Sequence, residues 1–248
     1  MKGIDGAGSD LLHANVEGQA IQIVQDELKR IRKEVARHRF FVTIAREFGC
    51  QGTDLAVSLA DALNKRMNPP HEDRWMFYDK DLLNKIAEDN HLRREIITAA
   101  EEHGRGVVEQ FLGKVLIDKP DDYEIFQYLV SAITTLANRG NVVIVGRGAG
   151  IVTQNMPHGV HIRLFAGEEF RIRHVRECRP DLKNAGHDDV KAFIKHESKK
   201  RDTFVERFTV SSAADPHIYH LMLNNEKFTM PEMVETIICV LRAKGMKI

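Results

Sequence analysis

Between Phe40 and Asp54 the chain reads Phe-Phe-Val-Thr-Ile-Ala-Arg-Glu-Phe-Gly-Cys-Gln-Gly-Thr-Asp. An apolar stretch runs into a turn with two glycines, and a hydroxyl residue opens the next segment. This order of residue types can hold a nucleotide phosphate. In the full motif, backbone N–H groups wrap the oxygens, a lysine neutralises them and a Ser or Thr hydroxyl holds Mg²⁺. With Thr53 on the hydroxyl position, Gly52 stands where the lysine belongs, Gln51 where the last glycine belongs and Arg46 where the first belongs. Two readings follow. Gly49 and Gly52 make a tight strand-to-helix turn with Thr53 as a cap. Alternatively, Gly49, Cys50, Gln51, Gly52 and Thr53 form an anion site at a helix N-terminus, with Arg46 supplying the missing charge.

Further residues suit the same chemistry. Arg147 follows the apolar run Val142-Val143-Ile144-Val145, on the edge where α/β sheets bind ligands. Arg171, Arg173, Arg176 and Arg179, then Lys199, Lys200, Arg201 and Arg207, lie on two charged stretches. Guanidinium groups engage two phosphate oxygens at once, so such residues suit a phosphate clamp as well as an ordinary solvated helix face. Asp79 ends an apolar segment and either caps the following helix or contacts a second ligand. His103, His174, His217 and His220 show no metal-ligand spacing and read as structural.

The elements that position these groups alternate. Phe40–Ala45, Trp75–Tyr78, Val142–Val145, Val160–Phe165 and Leu221–Leu223 read as strands. Asp54–Met67 reads as a helix with Leu55, Leu59, Leu63 and Met67 on one face, stopped by Asn68-Pro69-Pro70. Helices are also expected around Leu82–Ala87, Arg93–Glu102, Tyr123–Asn138, Glu168–Glu177, Asp188–Arg207 and Met230–Ala243. Strands alternating with helices predict an α/β fold with a parallel sheet covered on both faces. Ahead of it, residues 1–15 are unpatterned and read as mobile. From about Gly18, Ile21, Val24, Leu28, Ile31 and Val35 form a heptad-like seam. That N-terminal amphipathic helix either packs on its own domain or pairs with a second copy as a homodimer contact.

Composition narrows the partners. The 248 residues include 36 basic and 36 acidic side chains, a balance that gives no support to a nucleic-acid or membrane partner. No apolar run approaches the ~20 residues of a membrane span, and the N-terminus lacks a signal-peptide core. Cys50, Cys178 and Cys239 form neither a disulfide framework nor a zinc spacing, so a cytoplasmic setting is expected.

Five segments, taken in order, resemble the cytidylate kinase-like family, relatives of cytidylate kinase among the P-loop nucleoside monophosphate kinases. Ala45–Gly52 is similar to the opening "SREFGSGG", a segment that lacks the usual lysine; Gln51 departs from it. Phe77–Leu83 resembles "fyDkeLi", Val142–Ala149 resembles "vIvGRga", and Ile162–Arg171 looks like the strand and helix that enter a mobile lid. Tyr219–Asn225 resembles the terminal strand "YdLviNT". The resemblance covers about Arg39 to the C-terminus. It implies a P-loop NTPase-type three-layer sandwich with a helical lid over residues 39–248, preceded by residues 1–38 as a separate segment. It further implies ATP and Mg²⁺ as cofactors, with Mg²⁺ on Thr53, and a nucleotide plus a small-molecule acceptor as partners. Arg147 is assigned to the acceptor phosphate beside Asp79, and Arg171 and Arg201 to the catalytic clamp. Acidic residues that flank the Gly-Arg pair in true cytidylate kinases are Val145 and Gly148 here, and an Asp three residues before the second lid arginine is Ser198. Two functions are therefore expected. One is ATP-dependent phosphoryl transfer to a CMP- or dCMP-like nucleoside monophosphate or a related acceptor. The other is nucleotide binding in a regulatory protein with little or no kinase activity.

Overall fold

The computed structural model describes residues 39–83, 120–208 and 212–248. The seam at Ile21–Val35, most of the expected helix Leu82–Ala87 and the expected helix Arg93–Glu102 lie outside those residues. Five strands form one all-parallel sheet: β1 (Phe41–Arg46), β2 (Met76–Tyr78), β3 (Val142–Val145), β4 (Gly159–Phe165) and β5 (Leu221–Asn224), in the spatial order β2-β3-β1-β4-β5. The registers Val42↔Val143 and Val42↔Val160 place β1 between β3 and β4. Strands in that position are covered on both faces, which is why Phe41–Ile44 and Val142–Val145 are unbroken runs of buried residues.

Helices cover both faces. On one, α1 (Gly52–Met67) buries Leu55, Leu59 and Leu63 together with Met233, Ile237 and Leu241 of the last helix (Met230–Ala243). On the other, α2 (Pro120–Arg139) packs Leu129, Ile133 and Leu136 with Ala149 and Val152 of α3 (Ala149–Val152), a single turn that periodicity alone does not predict. Two further helices, α4 (Glu168–Cys178) and α5 (His187–Phe208), share a small core of Ile172, Val175, Val190 and Ile194. They form the helical lid. The last helix, α6, begins where the Glu232 carboxylate accepts a hydrogen bond from the Thr229 N–H, 2.8 Å.

The connections fix where a ligand can sit. The chain leaves β1 into α1 on one face and leaves the adjacent β3 into α3 on the other. A crevice must open between the carboxyl ends of two strands whose connections diverge, and α/β sheets bind ligands there. Among the described residues no helix is long and apolar enough to cross a membrane.

Candidate functional site

A cleft of about 1140 Å³ opens at that switch point, walled by the ends of β1 and β3, the start of the helix after β2, and α4 and α5. Eleven basic and five acidic side chains line it, in a chain whose overall charge is zero. Three of the acids are engaged by cations of the same lining: Glu47 with Arg171 at 3.7 Å, Glu168 with Lys191 at 2.7 Å and Glu197 with Lys200 at 2.7 Å. The cleft therefore carries a local excess of positive charge that its own carboxylates do not match.

That excess centres on Arg46. Its stem lies across the first residue of α1: a β-carbon at Gly52 would sit 3.1 Å from the Arg46 Cγ and Cδ. Its guanidinium continues to Gly146 at the end of β3, where any β-carbon would collide with Nη1. Gly52 is thus more than an absent lysine. With no side chain at Gly52 or Gly146, a cation from the end of the neighbouring strand can occupy the space. Burial, then the neighbouring Arg201, pulls the Arg46 pKa down to about 9, with Asp79 and Asp81 opposing and Arg147 adding to the depression. A guanidinium keeps its proton at pH 7, so the consequence is a desolvated cation rather than a neutral arginine. No described residue lies within ion-pair or hydrogen-bond distance to complete it. A buried cation of this kind is costly until an anion arrives.

Arg147 stands beside it in a strained conformation. Gly146, Arg147 and Gly148 all have positive φ (79°, 53° and 70°), and a left-handed backbone suits the glycines but not arginine. Strain of this sort persists where the side chain is needed in one place. Burial lowers the Arg147 pKa, with Asp81 opposing. Asp79 caps the helix that begins at Lys80: its Oδ1 accepts from the N–H groups of Asp81 and Leu82, both at 3.1 Å. It lines the cleft as well, so the two roles weighed for it are not exclusive.

The structure divides the sequence-derived set. Arg46, Thr53, Asp79, Arg147, Arg171 and Arg201 line the cleft; Gly49, Cys50, Gln51 and Gly52 do not. The backbone N–H groups of three of them, Cys50, Gln51 and Gly52, are occupied elsewhere. Cys50 N–H donates to the Glu47 carbonyl at 3.2 Å and Gly52 N–H to the Cys50 carbonyl at 2.9 Å. Gln51 N–H donates to Asn225 Oδ1 at 2.7 Å, and Asn225 Nδ2 returns a bond to Gln51 Oε1 at 3.1 Å. A loop whose amides face inward to its own carbonyls and to a buried asparagine differs from a phosphate nest, whose amides converge on the ligand. Burial and Glu47 push the Cys50 thiol up to about 12, so it is inert as a nucleophile.

Sequence reading missed Phe48, Arg163, Lys191 and Lys195 as cleft residues. Arg163 alternates with apolar neighbours on β4 and donates to the Ala213 carbonyl at 2.5 Å. No local pattern marks these positions, because their neighbours come from remote segments.

The family model described as the cytidylate kinase-like family matches residues 41–227. The chain belongs to the cytidylate kinase-like family. The match spans all five strands and both lid helices, and it stops short of α6. No curated protein matches the sequence. A solved structure of an uncharacterized protein from Eubacterium ventriosum is similar, with a TM-score of 0.59 and 17% identity, covering 83% of this chain and 99% of that one. It shares the fold. Weaker likeness extends to a shikimate kinase from Acinetobacter baumannii in complex with shikimate (TM-score 0.43, 11% identity, 85% and 97% covered). A shikimate kinase from Bacteroides thetaiotaomicron stands at a similar distance (TM-score 0.42, 16% identity, 82% and 98% covered).

Proposed function

We propose that this member of the cytidylate kinase-like family transfers a phosphoryl group from ATP to a phosphorylated small acceptor, with a nucleoside monophosphate of the CMP or dCMP kind as the first to test. The observation that carries the reading is the uncompensated guanidinium of Arg46, laid between Gly52 and Gly146 at the switch point with Arg147 and Arg201 alongside. Phosphoryl transfer asks little covalent chemistry of a protein. It asks for cations on several sides of a phosphoryl group whose charge spreads over three oxygens. Arg46 supplies charge from the floor, Arg147 from the β3 edge, and Arg171 and Arg201 from the lid. The lid helices exclude water, which strengthens each of these interactions.

The residues suit a nucleotide that brings its own metal. Among the described residues no three His, Cys, Asp or Glu side chains group to hold an ion. Mg²⁺ keeps much of its water and commonly binds through substrate phosphates plus one or two protein oxygens, and Thr53 offers a hydroxyl at the cleft wall. When bound, the ion would neutralise charge on the donor phosphates.

A second reading, nucleotide binding with little or no transfer, is favoured by two observations. The amides of Cys50, Gln51 and Gly52 are already hydrogen-bonded within the protein, and the residue before Gly146 is the buried, apolar Val145. One experiment separates the two. Thermal stabilisation is measured with ATP plus CMP, dCMP, UMP or AMP, and ADP production is followed in the same wells. Stabilisation with turnover for one acceptor supports the kinase. Stabilisation without turnover supports the regulatory binder, and no stabilisation by any nucleotide refutes both.

A further inference from the structure

The first half of the loop after β1 grips the lid, residue by residue. Glu47 pairs with Arg171 of α4 at 3.7 Å and its Oε2 accepts from the Ala166 N–H at 3.2 Å. Gly49 rests on the α4 backbone so closely that a β-carbon there would be 2.7 Å from the Arg171 Cβ. Between them Phe48 packs onto the lid core, with its ring edge-on to Phe193 of α5 at 5.6 Å. Over the face of that same ring lies the guanidinium of Arg201, 4.6 Å from the centroid. Phe48 also lines the cleft, so the ring separates the lid's apolar interior from the charged space below.

We infer that Phe48 is a positioning residue for Arg201, holding the lid guanidinium at the phosphate end of the cleft and coupling the loop to the lid as one body. This rests on the phosphate-binding reading above. Stacking is suited to the task. It engages the π face of the guanidinium, whereas phosphate oxygens are recognised by the in-plane N–H edge, so the two contacts do not compete. The T-shaped contact with Phe193 fixes the ring on its other side. A flexible arginine on a charged helix face loses rotamer freedom when it binds an anion, and a residue that orders it beforehand removes part of that cost. The loop's second half, tied to Asn225 by Gln51, has no such role. One loop of conventional position thus divides into a lid bearing and a fixed turn.

A double-mutant cycle tests the inference, with inorganic tripolyphosphate binding read by calorimetry and folding checked by Tm. Phe48→Leu keeps the apolar packing and removes the stacking face. It is expected to weaken tripolyphosphate binding roughly three- to tenfold in the wild-type background. In an Arg201→Ala background the same substitution is expected to change affinity by less than about twofold, and Phe48→Trp is expected to restore wild-type affinity. Equal losses in both backgrounds would show that Phe48 acts on fold or loop shape alone and would overturn the inference. So would a Phe48→Trp variant that folds and binds as weakly as Phe48→Leu. Failure of the wild type itself to bind tripolyphosphate or ATP would overturn the phosphate reading, and this inference with it, whatever the cycle shows.

Discussion

Two buried polar groups sit on the central strands, a few residues apart, and they are built on opposite terms. Around β1 and β4, Thr43 Oγ1 and His161 Nδ1 are 2.8 Å apart, the His161 backbone N–H donates to His220 Nδ1 at 3.0 Å, and Lys244 Nζ lies 3.0 Å from His220 Nε2. Burial, then His220 and Lys244, holds the His161 pKa at about 4, with a hydrogen bond to the Thr153 backbone pulling the other way. Both sides of every contact are protein, and the buried imidazole of His161 is held neutral. At the end of β1 the guanidinium of Arg46 is desolvated, with Arg201 of the lid and Arg147 depressing its pKa and Asp79 and Asp81 opposing them. A network that satisfies itself belongs to the fold. A desolvated cation with no described residue in bonding distance, as at Arg46, is costly until an anion arrives.

If that contrast is right, the two groups respond oppositely to substitution. The largest effect is expected at Arg46. Arg46→Met removes a desolvated cation and leaves an apolar chain over Gly52, so phosphate binding should fall by roughly 3–5 kcal/mol while Tm holds or rises. Loss of both affinity and stability would mean that Arg46 is a structural brace. Next is pH. His161 stays neutral in the fold down to about pH 4, while the unfolded chain takes up its proton near pH 6.5. The unfolded state therefore binds more protons in that window, and stability should fall as pH drops from about 6.5 to 4, by on the order of 3 kcal/mol. Calorimetry across that range checks it, and His161→Gln should flatten the slope. A third, smaller effect separates strain from function. Arg147→Gly relieves the left-handed backbone and should add about 1 kcal/mol of stability. It should weaken acceptor binding more than ATP binding; equal loss of both would misplace Arg147 in the cleft. Smallest is Asp79. Asp79→Asn keeps the helix cap and should shift Tm little, whereas Asp79→Ala should cost about 1 kcal/mol. An Asn variant that keeps Tm but loses acceptor affinity would show that the carboxylate charge reaches the ligand.

Much of the architecture was legible. Val142–Val145 and Phe41–Ile44 announce buried parallel strands because a strand covered on both faces has no polar side to alternate. Leu55, Leu59 and Leu63 announce α1 by their spacing. The single turn Ala149–Val152 was not legible, since one turn has no period, and its two glycine neighbours read as a loop. The site was legible in part. Arg147 and Asp79 could be placed because each ends a strand, and sheet geometry puts strand ends together. Phe48, Arg163 and Lys195 could not, because their neighbours are set by how the lid folds back over the sheet.

The loop after β1 marks the boundary between the two sources of information. Sequence alone determined that a strand, a turn and a helix N-terminus follow one another at Phe41–Met67, and that no lysine stands before Thr53. Hydrophobic pattern and residue identity suffice for that. The sequence already offered Arg46 as a source of the missing charge; only the tertiary structure decided where its side chain lies. Arg46 reaches the vacant position because β3 ends in a glycine beside it, and Gln51 turns away because Asn225 at the end of β5 takes its amide. Both outcomes depend on contacts between residues about a hundred or more positions apart, and no local rule of propensity or spacing encodes such contacts.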